Sequence, residues 1–215
     1  MRQSNVAVID YGMGNLLSVR RGLEHCGATV TVTSDPDEIF SASRVLLPGV
    51  GAFSDAMTEL CRLGLDGVVR EVGARGTTLM GICLGMQMLF DESDEFGTTA
   101  GLGLIPGRVV PLPITTITGQ TQKIPHIGWN ELELPQGRKD WQGSVLQDLK
   151  SGDSVYFVHS FMANPNNAEY RIANCIYGGN PVSAVITRDN VIGCQFHPEK
   201  SGEVGLNVLR RFLLL

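Results

Sequence analysis

A glycine-flanked cysteine carries the clearest chemical signal in this sequence. Cys83 lies in the run Gly81-Ile82-Cys83-Leu84-Gly85, which has the Gly-x-Ser-x-Gly spacing of a nucleophile elbow with sulfur in place of oxygen. Glycines on both sides relieve crowding where a strand turns sharply into a helix. A helix amino terminus behind the cysteine favours the thiolate and can hold an oxyanion. We therefore predict that Cys83 is a nucleophile.

A second motif, His197-Pro198-Glu199, supplies a base and a group to orient it. Pro198 biases His197 toward an extended conformation, in which residues two apart project to the same side. Glu199 could then reach the ring nitrogen that faces away from Cys83. A neutral His197 would take the thiol proton and return it to the leaving group. A cysteine alone is more often a small core residue, but packing does not readily explain both motifs together.

These motifs resemble a known enzyme family. Residues 81–87 and 196–199 are similar to the signatures of class I glutamine amidotransferases, whose cysteine attacks the glutamine side-chain amide, releases ammonia and forms a glutamyl thioester. Residues 111–122 and 135–143 match less well and are interpreted as surface insertions or variable loops. Further segments resemble, in order, the glutaminase subunits of imidazole glycerol phosphate synthases within that family: residues 10–16, 48–53, 125–130, 156–160 and 197–202.

The resemblance also implies an oxyanion hole and a substrate pocket. In the loop Pro48-Gly49-Val50-Gly51, the N–H of Val50 would hold the tetrahedral oxygen together with the N–H of Leu84. Gln87 follows Cys83 by about one helical turn, so its amide can face the same pocket. The substrate-binding residues implied by the family pattern are Gly51, Gln87, Glu95 and Ser160.

Ammonia made by such a site would have to be used by another protein. The sequence has no Gly-x-x-x-x-Gly-Lys-Ser/Thr phosphate loop and no room for an acceptor domain. The resemblance implies a (β/α)-barrel cyclase as the other half of a heterodimer, making imidazole glycerol phosphate and aminoimidazole carboxamide ribotide in histidine biosynthesis. It places four residues near the interface: Asn15, Trp129, Tyr156 and Lys200. Because an uncoupled enzyme would waste glutamine, we expect the isolated chain to be a poor glutaminase until its partner reshapes residues 48–51.

Other functions also fit parts of this sequence. A paralogue with the same chemistry could feed ammonia to an amidotransferase that modifies nucleotide-activated sugars. A binding module with a vestigial cysteine, or a peptidase of similar fold, is disfavoured by the complete set of Cys83, His197 and Glu199 and by Gln87. The run Gly12-Met13-Gly14 after a strand suggests a dinucleotide site, but Leu17 stands where the third glycine should be.

Composition excludes several classes of protein. A net charge of −5 and a pI near 5.3 argue against a nucleic-acid partner. Five cysteines without a Cys-x-x-Cys pair suggest neither disulfides nor zinc, and we expect no metal or cofactor. His126 and His159 are interpreted as structural. No apolar stretch approaches the roughly 20 residues that span a membrane, and residues 1–5 do not resemble a signal peptide, so we expect a cytoplasmic enzyme.

The elements that must position these residues follow from hydrophobic periodicity. Strands are predicted at residues 6–10, 29–33, 45–47 and 77–82, and helices at 16–26, from 35, 55–63, 65–74 and 84–90. This alternation predicts parallel strands with crossover helices. After residue 108, strands are predicted at 155–158, 171–177, 182–186 and 191–196, followed by a helix at 203–214. We expect a single domain over residues 1–215, a three-layer α/β fold of the class I glutamine amidotransferase type whose mostly parallel sheet has an antiparallel extension.

Overall fold

A computed structural model describes residues 4–215 of the chain; the first three residues of the amino terminus considered above lie outside the described part. The elements of the described part are β1 (Asn5–Ile9), α1 (Leu16–His25), β2 (Thr29–Thr33), α2 (Pro36–Ser41), β3 (Arg44–Leu47), α3 (Phe53–Arg62), α4 (Leu65–Ala74), β4 (Thr78–Ile82), α5 (Leu84–Met88), β5 (Phe90–Ser93), β6 (Thr99–Ala100), β7 (Ile105–Pro111), β8 (His126–Glu131), β9 (Ser154–His159), β10 (Phe161–Pro165), β11 (Arg171–Tyr177), β12 (Asn180–Arg188), β13 (Val191–Cys194) and α6 (Gly202–Phe212).

The largest sheet has seven strands in the order β11-β12-β13-β4-β3-β1-β2. From β13 to β2 all neighbours are parallel, whereas β11, β12 and β13 pair antiparallel. The predicted fold class, with its antiparallel extension, is therefore confirmed. Strands β4 and β13 are direct neighbours, so their carboxyl ends lie side by side. Sites in such sheets form at that edge.

Helices cover both faces of this sheet. Successive side chains of β1 point to opposite faces, because side chains alternate along a strand. Val6 and Val8 join a buried cluster with α1 and α6, while Ala7 and Ile9 join a second cluster with α2, α3 and α4. These two apolar layers enclose the sheet and fix the carboxyl ends of its strands.

A smaller four-stranded sheet, β10-β7-β5-β6, and the β8–β9 hairpin complete the fold. The helix predicted over residues 84–90 ends at Met88, and Phe90 begins β5 instead. The segment after β6 explains this end, since the N–H of Leu102 donates to the Met88 carbonyl at 2.8 Å and the N–H groups of Leu104 and Ile105 both donate to the Leu89 carbonyl at 2.9 Å. These long-range hydrogen bonds replace those that would have continued the helix.

Other predicted boundaries differ by a few residues. Strand β13 ends at Cys194 rather than residue 196, and α6 runs over Gly202–Phe212. The poorly matched residues 111–122 begin at the end of β7 and form a largely exposed excursion with an isolated bridge between Thr115 and Thr121, although Leu112 is buried in the core. Within residues 4–215, no helix is long and apolar enough to cross a membrane.

Candidate active site

Cys83 occupies a strained turn between β4 and α5. Its backbone has φ of 54° and ψ of −112°, a conformation that residues other than glycine rarely adopt and that costs about 1–3 kcal/mol. The flanking glycines permit this turn. A Cβ at Gly81 would lie 2.6 Å from the Gly85 carbonyl oxygen, and one at Gly85 would lie 1.9 Å from the Leu47 carbonyl oxygen. The geometry is that of a nucleophile elbow.

His197 and Glu199 form a buried pair beside this turn. The two atoms His197 Nδ1 and Glu199 Oε1 are 2.8 Å apart, and both side chains are almost fully buried. His197 is extended, but Pro198–Lys200 forms a 3₁₀ turn, so Glu199 reaches the ring through that turn and not along an extended chain. The prediction of an extended path was wrong in this detail. The turn is fixed by Ser201, whose hydroxyl donates to the His197 carbonyl at 2.7 Å.

The environment of His197 favours its protonated form. Burial opposes the charge, but hydrogen bonds to Cys83 and Glu199 and the negative charge of these groups outweigh it and raise the pKa of His197 to about 9. Within residues 4–215, the second carboxylate oxygen of Glu199 has no hydrogen-bond partner. Burying a carboxylate oxygen without a hydrogen-bond partner costs free energy, and the positive charge of the neighbouring imidazolium offsets this cost.

A cavity of about 360 Å³ opens in front of these groups. Its size falls within the roughly 300–1,000 Å³ of small-molecule pockets. The cavity collects almost all of the residues proposed above for catalysis and substrate binding, while Glu199 lies behind His197. Its walls are formed by Val50, Gly51, Cys83, Leu84, Gln87, Glu95, Pro125, Val158, His159, Ser160, Phe161, His197 and Lys200.

The loop at residues 48–51 is held at one end and open at the other. Tyr11 donates its hydroxyl hydrogen to the Pro48 carbonyl at 2.8 Å, and a Cβ at Gly49 would lie 2.8 Å from that same hydroxyl oxygen. Burial raises the pKa of Tyr11, which keeps this hydroxyl a donor. Val50 is partly exposed and Gly51 has a φ of 99°. The first half of the loop is thus clamped, while Val50 stands at the mouth of the pocket.

Glu95 and Ser160 lie on the pocket wall, but Glu95 has a second contact. Its Oε2 atom accepts a hydrogen bond from the N–H of Phe53 at 2.6 Å, at the first residue of α3. A carboxylate is favourable at a helix amino terminus. Glu95 therefore links the turn after β5 to the start of α3, just after the loop at residues 48–51.

The four residues predicted near a partner interface occupy different positions. Trp129 on β8 is 59% exposed and packs edge-on against Tyr156 of β9, with ring centroids 6.1 Å apart. Lys200 lies on the pocket wall, and Asn15 precedes α1 without capping it through its side chain. Trp129 and Tyr156 thus form one contacting pair, whereas Lys200 lines the pocket.

Two features of the site were missed by the sequence analysis. Gln195 is fully buried and its Nε2 atom lies 3.8 Å from the Cys83 sulfur. His159 lies on the pocket wall and its ring contacts that of His126, with 3.1 Å between His159 Nε2 and His126 Nδ1. The only signal for Gln195 was an amide between two apolar residues, one position before Phe196. Within residues 4–215, no group of three or more His, Cys, Asp or Glu side chains is arranged to hold a metal ion.

Comparisons with known proteins identify the family of the chain. Residues 7–215 match the family model of glutamine amidotransferase class-I. The chain is 50% identical over 210 residues to the imidazole glycerol phosphate synthase subunit HisH 1 of Legionella pneumophila (strain Lens), covering 98% of this chain and 99% of that protein. It is 48% identical over 208 residues to the corresponding HisH subunit of Geobacillus thermodenitrificans (strain NG80-2), covering 97% of this chain and 94% of that protein.

Solved structures share the fold at much lower identity. A glutamine amidotransferase crystal structure aligns with a TM-score of 0.69 at 17% identity, covering 98% of this chain and 99% of the other. A structure of PurLQS from Thermotoga maritima aligns with a TM-score of 0.70 at 18% identity, covering 99% and 98%. From the family match over nearly its whole length, we conclude that the chain is an enzyme of the class I glutamine amidotransferase family.

Proposed function

We propose that this chain hydrolyses glutamine to glutamate and ammonia through a thioester on Cys83. The observation that carries the proposal is the strained Cys83 turn beside the buried His197–Glu199 pair, both facing a pocket of about 360 Å³. A pKa of about 9 lets His197 hold, at neutral pH, the proton that Cys83 gives up when its sulfur becomes the nucleophile.

The reaction then proceeds in two steps. The Cys83 sulfur attacks the amide carbon of glutamine, and the N–H groups of Val50 and Leu84 stabilise the oxyanion. Leu84 is the first residue of α5, where N–H groups have no partner within the helix. His197 gives its proton to the amide nitrogen, the C–N bond breaks and ammonia leaves. His197 next takes a proton from water, whose oxygen attacks the thioester. The C–S bond breaks, glutamate leaves, and His197 returns the proton to the departing sulfur to restore Cys83.

The pocket walls supply the groups that would hold the substrate. Gly51, Gln87, Glu95 and Ser160 surround the space in front of Cys83. Glu95 is the carboxylate among them and is the residue proposed to meet the ammonium group of glutamine, although one of its oxygens is engaged with α3. The hydroxyl of Ser160 and the amide of Gln87 suit the polar carboxylate and amide groups.

We further propose that a (β/α)-barrel cyclase receives the ammonia. Relatives at about half identity over almost the full chain are named as subunits of imidazole glycerol phosphate synthase, which supports a partner subunit and a role in histidine biosynthesis. The residues proposed to dock are the contacting pair Trp129 and Tyr156, Lys200 on the pocket wall, and Asn15. Exposed aromatic side chains are enriched at the centres of interfaces.

The catalytic assignment is tested by two cysteine variants. Cys83→Ala should lose glutamine hydrolysis entirely, measured as ammonia release in the presence of the partner, while circular dichroism and partner binding stay as in the wild type. Cys61→Ser changes an exposed thiol and should keep full activity. Labelling by a glutamine-like electrophile at any cysteine other than Cys83 would contradict the assignment.

The partner assignment is tested by measuring ammonia release from the chain alone, with the cyclase, and with the cyclase and its ribulosyl phosphate ligand. We expect the lowest rate alone and the highest in the full complex. Trp129→Asp should weaken complex formation, whereas Leu63→Asp, an exposed position at the end of α3, should not. Stimulation by an amidotransferase for nucleotide-activated sugars, and not by the cyclase, would support the alternative pathway.

A further inference from the structure

Gln195 is a buried amide in direct contact with the nucleophile. It lies just past the carboxyl end of β13, and its backbone N–H donates to the Ala184 carbonyl at 2.9 Å. Its Nε2 atom is 3.8 Å from Cys83 Sγ, and its Oε1 atom accepts from Gln87 Nε2 at 3.0 Å. The roles proposed above for Cys83, His197 and Glu199 leave this side chain without a function.

Its orientation follows from a backbone carbonyl. Gln87 Nε2 also donates to the Phe161 carbonyl at 3.1 Å, and a carbonyl oxygen can only accept. The nitrogen of Gln87 must therefore face Phe161, and the atom of Gln195 that meets the same nitrogen must be its oxygen. It follows that the nitrogen of Gln195 faces the sulfur. The Phe161 carbonyl thus fixes the direction of both side-chain amides.

Two buried histidines reinforce the carbonyl that sets this direction. His159 Nδ1 lies 2.8 Å from the Phe161 carbonyl oxygen, so this nitrogen carries a hydrogen. His159 Nε2 then accepts from His126 Nδ1 at 3.1 Å. Asn130 donates to the Ile176 carbonyl at 2.9 Å and stands 3.4 Å from His126 Nε2. The resulting chain of hydrogen bonds runs from β8 to the nucleophile and fixes both histidine tautomers.

The surroundings of the sulfur change when its proton leaves. Among the residues that the structure describes, two polar groups besides His197 contact Cys83 Sγ: the Val158 carbonyl oxygen and Gln195 Nε2, each at 3.8 Å. The carbonyl can accept a hydrogen bond from the thiol, but it has no hydrogen to donate to a thiolate. The Gln195 N–H is a donor, and donors bind an anion more strongly than a neutral atom. The contact therefore stabilises the charged sulfur selectively.

We propose that Gln195 is a further catalytic residue, whose side-chain N–H donates to the Cys83 sulfur as thiolate and again when that sulfur leaves at thioester hydrolysis. Gln87 acts as a positioning residue for it, because its nitrogen holds Gln195 Oε1 and directs the opposite end of the amide at Cys83. The catalytic consequences rest on the proposed glutaminase function. The effect on the thiolate does not, since it concerns the enzyme before any substrate binds.

The test measures thiolate formation without glutamine. The rate of Cys83 alkylation by iodoacetamide is followed against pH in a Cys61→Ser background, which removes the exposed thiol. Gln195→Met keeps the size of the side chain and deletes the donor, so the midpoint of the profile should move upward by about one pH unit, a tenfold change in thiolate fraction below the midpoint. Gln195→Glu should move it further, because a carboxylate beside the sulfur opposes the charge. Gln147→Met makes the same change at a glutamine that contacts Arg211 and should not move the midpoint.

A purely structural amide would behave differently. Gln195→Met would then lower the melting temperature but leave the alkylation midpoint where it is, and that result would overturn the proposal. If Gln195→Met does not fold, Gln87→Leu provides the second variant, since it frees the Gln195 amide and should shift the midpoint in the same direction by less. An unshifted midpoint in a folded Gln87→Leu protein would also count against it.

With glutamine, Gln195→Met should lower kcat about tenfold or more with a smaller change in KM. A shifted midpoint without any glutaminase activity in the wild type would sink the proposed function alone.

Discussion

At the scale of single residues, the main feature of the site is a buried carboxylate paired with a histidine. Glu199 is buried, and in the part of the chain that the structure describes only one of its oxygens has a hydrogen-bond partner, which is His197. The arrangement is stable because the imidazolium neutralises the carboxylate. His197 also forms a hydrogen bond with Cys83, so in the proposed mechanism it is the group that receives the proton of the thiol.

Glu199→Gln should show how much of this depends on charge. The change keeps the size of the side chain but removes the negative charge that helps to raise the pKa of His197. We expect kcat/KM to fall about 10–100-fold, less than the roughly 10²–10⁴-fold expected for His197→Ala, and the alkaline limb of the profile to move down from near pH 9. Kinetics over pH 6 to about 10 would measure both effects.

The control for this variant is Glu203→Gln, which alters an exposed carboxylate in the first turn of α6. Its pH profile should match that of the wild type. An unchanged profile in Glu199→Gln as well would mean that Glu199 orients the ring without influencing its protonation.

At the scale of elements, α5 lies unusually close to the strands beneath it. The Cβ position of Gly85 points at the Leu47 carbonyl of β3, and that of Gly81 points back at α5. This close approach is what brings the first turn of α5 behind the Cys83 sulfur. The glycines of the motif are therefore required by packing as much as by the φ angle of Cys83.

Gly85→Ala should consequently destabilise the protein. An added methyl group 1.9 Å from a carbonyl oxygen forces a backbone shift, and overpacking of this kind costs about 1–3 kcal/mol or more. Urea denaturation would measure the loss. Gly67→Ala is the matched control, because Gly67 lies within α4 and a Cβ there would meet open space. This substitution should raise the free energy of unfolding by at most about 1 kcal/mol. Equal effects of the two substitutions would contradict the packing argument.

At the scale of the whole molecule, the buried histidines make stability depend on pH. Burial lowers the pKa of His126 and of His159 to about 4 in the folded protein. In the unfolded chain they titrate near 6.5, so below that pH the unfolded state binds more protons. The free energy of unfolding should therefore fall as the pH drops from about 6.5 to about 4. His159 alone accounts for about 3 kcal/mol of this loss.

His197 acts in the opposite sense. Its raised pKa contributes stability that is present below about 6.5 and is lost as the pH rises through about 9. Free energies of unfolding measured from pH 4 to about 9 should thus peak between the two windows. His126→Phe keeps a ring between Phe157 and Tyr177 and should flatten the acid side. His25→Gln, at the exposed end of α1, should leave the curve unchanged; a similar flattening there would refute the assignment to the buried pair.

The sequence alone determined the features that depend on local spacing. The alternation of strands and helices gave the parallel part of the sheet, because hydrophobic periodicity and chain-reversing turns are local properties. The elbow around Cys83 was predictable because its glycines are neighbours in the chain. The pairing of Glu199 with His197 was also anticipated from a spacing of two residues, although the turn that achieves it was not.

Tertiary structure decided what depends on residues far apart in the chain. Helix α5 ends early because residues 102–105 capture its last carbonyl groups, a contact that periodicity does not record. Glu95 binds the first turn of α3, 42 positions away in sequence. Gln195 meets Cys83 across 112 positions, only because β13 pairs in register with β4. A buried amide carries no local signal of its partner, since its hydrogen bonds are chosen by the fold and not by its neighbours in the chain.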